Sequence, residues 1–167
     1  QNAKYPELIA EESVSKRAVI RVYCEQSGNR NTNLTPKDIF EIAEGKKAGD
    51  RAAAKASFEE LGRIAGVSIA HALDIIDGLV VIGGGIAGAS KYILPAICQV
   101  LKENLGTING TQYRRVEMEV FNWEDHSERS RFLNWPDRCV TSPVSGRCLA
   151  YHSVRRTVVA LSQAGAP

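Results

Sequence analysis

The sequence predicts an α/β protein. Three observations carry this: an apolar-striped helix over 51–76, the continuous β-branched run Leu79-Val80-Val81-Ile82 after it, and a second amphipathic helix beyond a triple glycine. Helix, strand, glycine turn, helix, strand is the order of a sheet covered by helices.

Each element has a local cause. Ser15 is placed to N-cap a helix through Ala18, Val19, Val22 and Tyr23, which Gly28 ends. The polar stretch Ser27 to Asn33 reads as a surface loop. Thr35-Pro36 starts a second helix, with Asp38 in the first turn where the helix dipole favours an anion, and Gly45 closes it. Gly49-Asp50 opens the long helix, whose stripe is Phe58, Leu61, Ala65, Ile69, Ala72 and Ile76. Ile64, Val67 and Ile75 make its far half apolar nearly all round, as in a helix buried between other elements. Gly62 and Gly66 weaken it; close approach of another backbone and tolerated weakness both account for them. The run Leu79–Ile82 reads as a buried central strand. Ser90 is expected to cap a helix from Lys91 to about Leu105, ended by Gly106. Alternation over 115–121 predicts a half-buried strand through Val116, Met118 and Val120. A short helix near Ser127–Leu133 and strands near 147–151 and 157–161 complete the chain.

The 167 residues suit one domain, taken as 1–167, with a substantial core. A net charge of +2 is too small to argue for nucleic acid or an acidic membrane surface. No apolar run approaches the roughly 20 residues of a membrane span, and the N-terminus lacks a signal-peptide layout. Cys24, Cys98, Cys139 and Cys148 form no disulfide framework by spacing, so reduced thiols in a cytoplasm are the simplest reading. Cys139, Cys148 and His152 are too widely spaced for an ordinary zinc pair.

The three consecutive glycines after the strand, followed by Ile86-Ala87-Gly88, need a reason, because each costs backbone entropy. Glycine permits a left-handed backbone and leaves room for a ligand. Peptide N–H groups there could face a phosphate or a sugar hydroxyl. The letters Gly83-x-Gly85-x-x-Gly88 fit a dinucleotide fingerprint, but no acidic residue follows where one is needed, and no Gly-Lys-Ser/Thr marks a Walker loop. Ligand binding and a purely structural tight turn both remain open from these residues alone.

Asp50-Arg51-Ala52-Ala53, the Leu61-Gly62 helix, Ile75-Ile76-Asp77-Gly78-Leu79-Val80-Val81-Ile82-Gly83-Gly84-Gly85-Ile86, and the Ser90–Pro95 continuation together resemble the C-terminal signature of ROK-family sugar kinases. The likeness is clearest from about Leu34 to Leu105. It implies a ribonuclease H-like lobe of the actin/hexokinase type. It also implies transfer of the γ-phosphoryl group of ATP, with Mg²⁺, to a hexose hydroxyl. Gly83, Gly84 and Gly85, with Ile86 and Gly88, would lie against the nucleotide. The family's Asp-x-Gly-x-Thr motif, its Asn-Asp pair, its cysteine-rich zinc motif and its sugar-holding Glu and His do not occur in the chain. No catalytic residue or metal ligand is therefore assigned. The chain reads as a fragment, without the N-terminal lobe and a closing helix beyond Ala166-Pro167, and is expected to be inactive as given. The resemblance further implies a cytoplasmic protein whose partners are nucleotide and sugar, with a homodimer available through this lobe. The alternatives are the effector domain of a repressor of the same family, or a non-catalytic α/β interaction module.

Other conspicuous residues have plainer readings. His71, His126 and His152 read as packed or solvated, and Asp74 and Asp77 as terminating the helix–strand junction. Arg114-Arg115, Arg155-Arg156 and Lys46-Lys47 read as solvated charges, and Trp123 and Trp135 as packing residues.

Overall fold

The computed structural model describes residues 2–31, 33–136, 138–151 and 154–164; Thr32 and His152 lie outside them, as does the chain's last dipeptide. The helices are α1 (Lys16–Ser27), α2 (Pro36–Ala43), α3 (Arg51–Leu73), α4 (Ser90–Lys102) and α5 (His126–Leu133). The strands are β1 (Val80–Ile82), β2 (Asn104–Gly106), β3 (Gln112–Arg114), β4 (Glu119–Asn122), β5 (Arg138–Thr141), β6 (Cys148–Tyr151) and β7 (Arg156–Leu161).

The first three helices start where local chemistry dictates. Ser15 Oγ accepts from Ala18 N at 3.3 Å, and Gly28 ends α1 with a left-handed φ of 67°. At α2 a reciprocal capping box forms: Thr35 Oγ1 accepts from Asp38 N, and Asp38 Oδ2 accepts from Thr35 N at 2.8 Å. Asp50 Oδ1 accepts from Ala52 N and Ala53 N at the head of α3. Ser90 departs from expectation. A single 3-10 turn, Ala87–Ala89, runs directly into α4, Ser90 is already helical, and no side chain caps this start. Carbonyls of the turn act as acceptors instead: Ile86 O accepts from Ala89 N and Ala87 O from Ser90 N.

The centre of the molecule is α3 lying along α4. An added Cβ on Gly62 would come within 2.6 Å of Ile93 O, and one on Gly66 within 2.9 Å of Val100 Cβ. Close backbone approach, rather than tolerated weakness, is the reason for both glycines. Phe58, Leu61, Ile93, Leu94, Ile97 and Leu101 fill the core around this contact. The far end of α3 corrects the sequence reading. The helix ends at Leu73, and Ile75 and Ile76 follow it at 84% and 66% exposure, so the apolar stripe outlasts the packing. Likewise α4 stops at Lys102, and Gly106 belongs to β2.

One three-stranded parallel sheet, ordered β1-β7-β4, packs on the helices. Val80 and Ile82 of β1, Val159 and Leu161 of β7 and Val120 of β4 point to the helical core. The opposite face is covered at one end only, where Phe121 meets Phe132 and Trp135 with ring centroids 5.6 and 5.9 Å apart. At the other end Val81 is 62% exposed beside Leu79. Among the described residues the run Leu79–Ile82 lies at the edge of the sheet and its second face is uncovered at Val81, where a buried central strand is expected. An uninterrupted apolar run states that both faces suit burial, and among the described residues only one face is buried.

Two antiparallel pairs complete the fold, β2 with β3 and β5 with β6. In the second, Cys139 and Cys148 are joined as a disulfide, with Cα atoms 5.7 Å apart, which overturns the reading of four reduced thiols. The hairpin register explains the pairing. Cys139 stands opposite Ala150 and Cys148 opposite Thr141, so the two cysteines are diagonal neighbours on one face.

Candidate functional site

The glycine turn leaves the carboxyl end of β1, where parallel strands present ligand sites. Gly83 is close-packed: a Cβ there would lie 3.3 Å from the Cβ of Ser162, whose backbone N–H donates to Ile82 O. Gly84 has φ +92°, a conformation that disfavours every residue with a Cβ. Its carbonyl accepts from Ala87 N at 3.0 Å, which closes the turn. Around Gly85 and Gly88 the space a side chain would occupy is open. The turn therefore uses its glycines in two ways. Gly83 and Gly84 shape the backbone, whereas Gly85 and Gly88 leave a backbone surface uncovered.

That surface borders a cavity of about 260 Å³ lined by Pro36, Lys37, Phe40, Phe58, Gly85, Ile86, Gly88 and Ala89. The structure brings three of the five anticipated residues, Gly85, Ile86 and Gly88, into it. Thr35-Pro36 starts α2, and that start sets Pro36, Lys37 and Phe40 into the cavity beside the turn. The aromatic wall is fixed by edge contacts of Phe40 with Phe58 and Tyr92, and by stacking of Phe58 on Tyr92, all with centroids 6.3 Å apart.

Beneath this wall Glu44 accepts from Lys91 Nζ at 2.7 Å and from the Tyr92 hydroxyl at 2.8 Å. These bonds, from Lys91 first, hold Glu44 below the usual carboxylate range. Burial, then the bond to Glu44, raises Tyr92. The trio ties the C-terminal end of α2 to the start of α4. No carboxylate lines the cavity, so it offers an apolar slot, a lysine and open peptide groups. Among the described residues no cluster of three His, Cys, Asp or Glu side chains could hold a metal.

The remaining candidates behave as ordinary surface or packing groups. His71 is exposed, and Asp74 is the C-cap position of α3. Asp77 pairs with Arg155 at 2.9 Å, Arg114 with Glu119 at 2.6 Å, and Lys47 with Asp38 at 2.7 Å. Trp123 and Trp135 pack on Phe132 and Phe121 respectively.

The ROK family model matches residues 9–127, which takes in α1 to α4, the glycine turn and β4. The chain belongs to the ROK family. Glucokinase from Parabacteroides distasonis ATCC 8503 is similar in structure, at 42% identity and a TM-score of 0.85. That match covers 99% of this chain and 44% of the glucokinase, so the chain spans less than half the length of this ROK relative. The mixed α/β architecture is therefore that of a glucokinase segment. A Cytophaga hutchinsonii ATCC 33406 protein, provisionally assigned as a sugar kinase, matches at 24% identity and TM-score 0.49 over 59% of this chain and 34% of its own. That likeness is too slight to carry an argument. No curated protein sequence matches the chain significantly.

Proposed function

We propose that this chain is the nucleotide-binding lobe of a cytoplasmic, ATP-dependent sugar kinase that phosphorylates a hexose hydroxyl. The observation that carries the reading is the cavity beside the glycine turn. An apolar slot between Phe40, Phe58, Pro36 and Ile86 suits the flat face of a purine. The uncovered backbone at Gly85 and Gly88 suits close approach of a ribose or a phosphate, and Lys37 supplies positive charge at the rim. Family membership and the glucokinase likeness favour ATP and a sugar as the pair of substrates.

ATP would bring the transferable phosphoryl group; this chain's residues bind and orient its base. They do not include a ligand for Mg²⁺ at the cavity, nor a carboxylate placed to take a proton from a sugar hydroxyl. Catalysis then falls to residues of a partner lobe, and the chain alone binds nucleotide without turnover. The exposed apolar side chains of Ile75, Ile76, Leu79 and Val81 support a ribonuclease H-like lobe that packs against further chain, or against a second copy in a homodimer.

Titration of the chain with ATP, followed by calorimetry, tests the reading. Saturable ATP binding that Gly84→Val removes, with helix content kept, is the expected result. Binding that survives this substitution would place the nucleotide elsewhere, and no binding at all would favour the repressor or interaction-module reading.

A further inference from the structure

The four cysteines fall into chemically different classes. Cys98 is buried in α4, and burial pushes its thiol up to about 11, which leaves it inert. Cys24 is half-buried, with its Sγ directed at Asn31 O. Cys139 and Cys148 are bonded to each other on a hairpin whose eight strand residues are all exposed. Val140, Val144 and Leu149 of this segment are 50%, 96% and 59% exposed, so beyond the cross-strand pair Val140–Leu149 little apolar burial holds the two strands together. An isolated two-stranded hairpin is marginal in water.

We propose that Cys139–Cys148 is a reversible redox modification site, opened by small-molecule thiols of the glutathione class, and that its state decides whether residues 138–151 hold their hairpin register. Three features support this. Both cysteines are open to solvent, so a thiolate can approach either sulfur. Arg138 and Arg147 directly precede them and attract an anionic thiol reagent. The link spans nine residues of otherwise weakly held chain, so the cross-link removes freedom that the hairpin's own contacts do not.

The chemistry balances without a metal. One monothiol, as thiolate, attacks a cysteine Sγ; the protein S–S bond breaks, a mixed disulfide forms, and the released cysteine thiolate takes up a proton. A second monothiolate attacks the monothiol's sulfur in that mixed disulfide, and the other cysteine leaves and is protonated. Two protein thiols and one small-molecule disulfide result, with two electrons passed to the protein. The small-molecule disulfide reverses both steps.

The whole chain is equilibrated with reduced and oxidised glutathione over a range of ratios, then trapped by alkylation and read by peptide mass spectrometry. The expected result is Cys139 and Cys148 becoming alkylated together in native buffer as the ratio turns reducing, while Cys98 resists until the protein is denatured. Hydrogen exchange of the hairpin amides should accelerate roughly tenfold or more on reduction. Cys139→Ser and Cys148→Ser should each give the fast exchange regardless of the glutathione ratio. Free thiols throughout the oxidised range, reduction only after unfolding, or hairpin exchange indifferent to the link would each overturn the proposal.

Discussion

Glycine does opposite jobs in two regions of this molecule. In α3, Gly62 and Gly66 are buried, and the missing side chain is filled by α4: by Ile93 O, Ala96 Cβ and Val100 Cβ. In the turn after β1, Gly85 and Gly88 are exposed and nothing fills the gap. A filled gap is packing. An unfilled one, beside an aromatic-walled cavity at the end of a parallel strand, is the opening on which the proposed nucleotide site rests. The difference teaches that glycine content carries no function by itself; what an added Cβ would touch does.

The comparison can be broken most sharply in the helices. Gly62→Val should destabilise the chain by about 3 kcal/mol, because the nearest obstacle is the Ile93 carbonyl, a backbone atom with little room to yield. Urea denaturation monitored by circular dichroism checks this, and a loss under about 1 kcal/mol would show that α3 and α4 are less closely apposed. Gly84→Val acts through conformation rather than contact: φ +92° with open space around it predicts a cost of about 2 kcal/mol, near-native helix content and no measurable ATP binding. Gly88→Ala sharpens the contrast. Its stability should stay within about 0.5 kcal/mol of the parent, while ATP affinity falls, so a mutant that is destabilised yet binds normally would reverse the roles assigned to the two regions.

The smallest effect is electrostatic. Glu44 is held below its ordinary range by Lys91 and Tyr92, so its contribution to stability is present above that range and is lost as pH falls through its lowered folded value. Thermal melts of the parent and Glu44→Gln between neutral and acidic pH should therefore converge at low pH. Parallel curves would mean that the Glu44–Lys91 tie does not contribute.

The helix starts at Ser15, Thr35 and Asp50 were legible because a cap is settled by residues two or three apart. The start of α4 was not, since Ser90 looks like a cap and the preceding 3-10 turn changes which residue begins the helix. The β2–β3 hairpin was missed although Asn109-Gly110, with Gly110 at φ 84°, is a turn signal of the usual hairpin kind. Without the β5–β6 hairpin in view, Cys139 and Cys148 had no reason to meet. At the candidate site the turn itself was readable, whereas Phe40 and Phe58 come from separate helices and meet it only through tertiary packing. Edge or centre was unreadable for Leu79–Ile82, since apolar pattern describes what a strand tolerates and not which neighbours it has.

The placing of β7 between β1 and β4 also orders events in time. Its Thr157 hydroxyl donates to Gly78 O across 79 residues of chain, and neither of the other two strands touches the other. The helical pair α3–α4 is closed by a short connection and can assemble while synthesis continues. Among the described residues neither β1 nor β4 has a strand to pair with until β7, the latest of the three in sequence, has been synthesised. Until then the edges of β1 and β4 that face β7 have open ladders, and the interval before β7 arrives is one in which these strands can mispair.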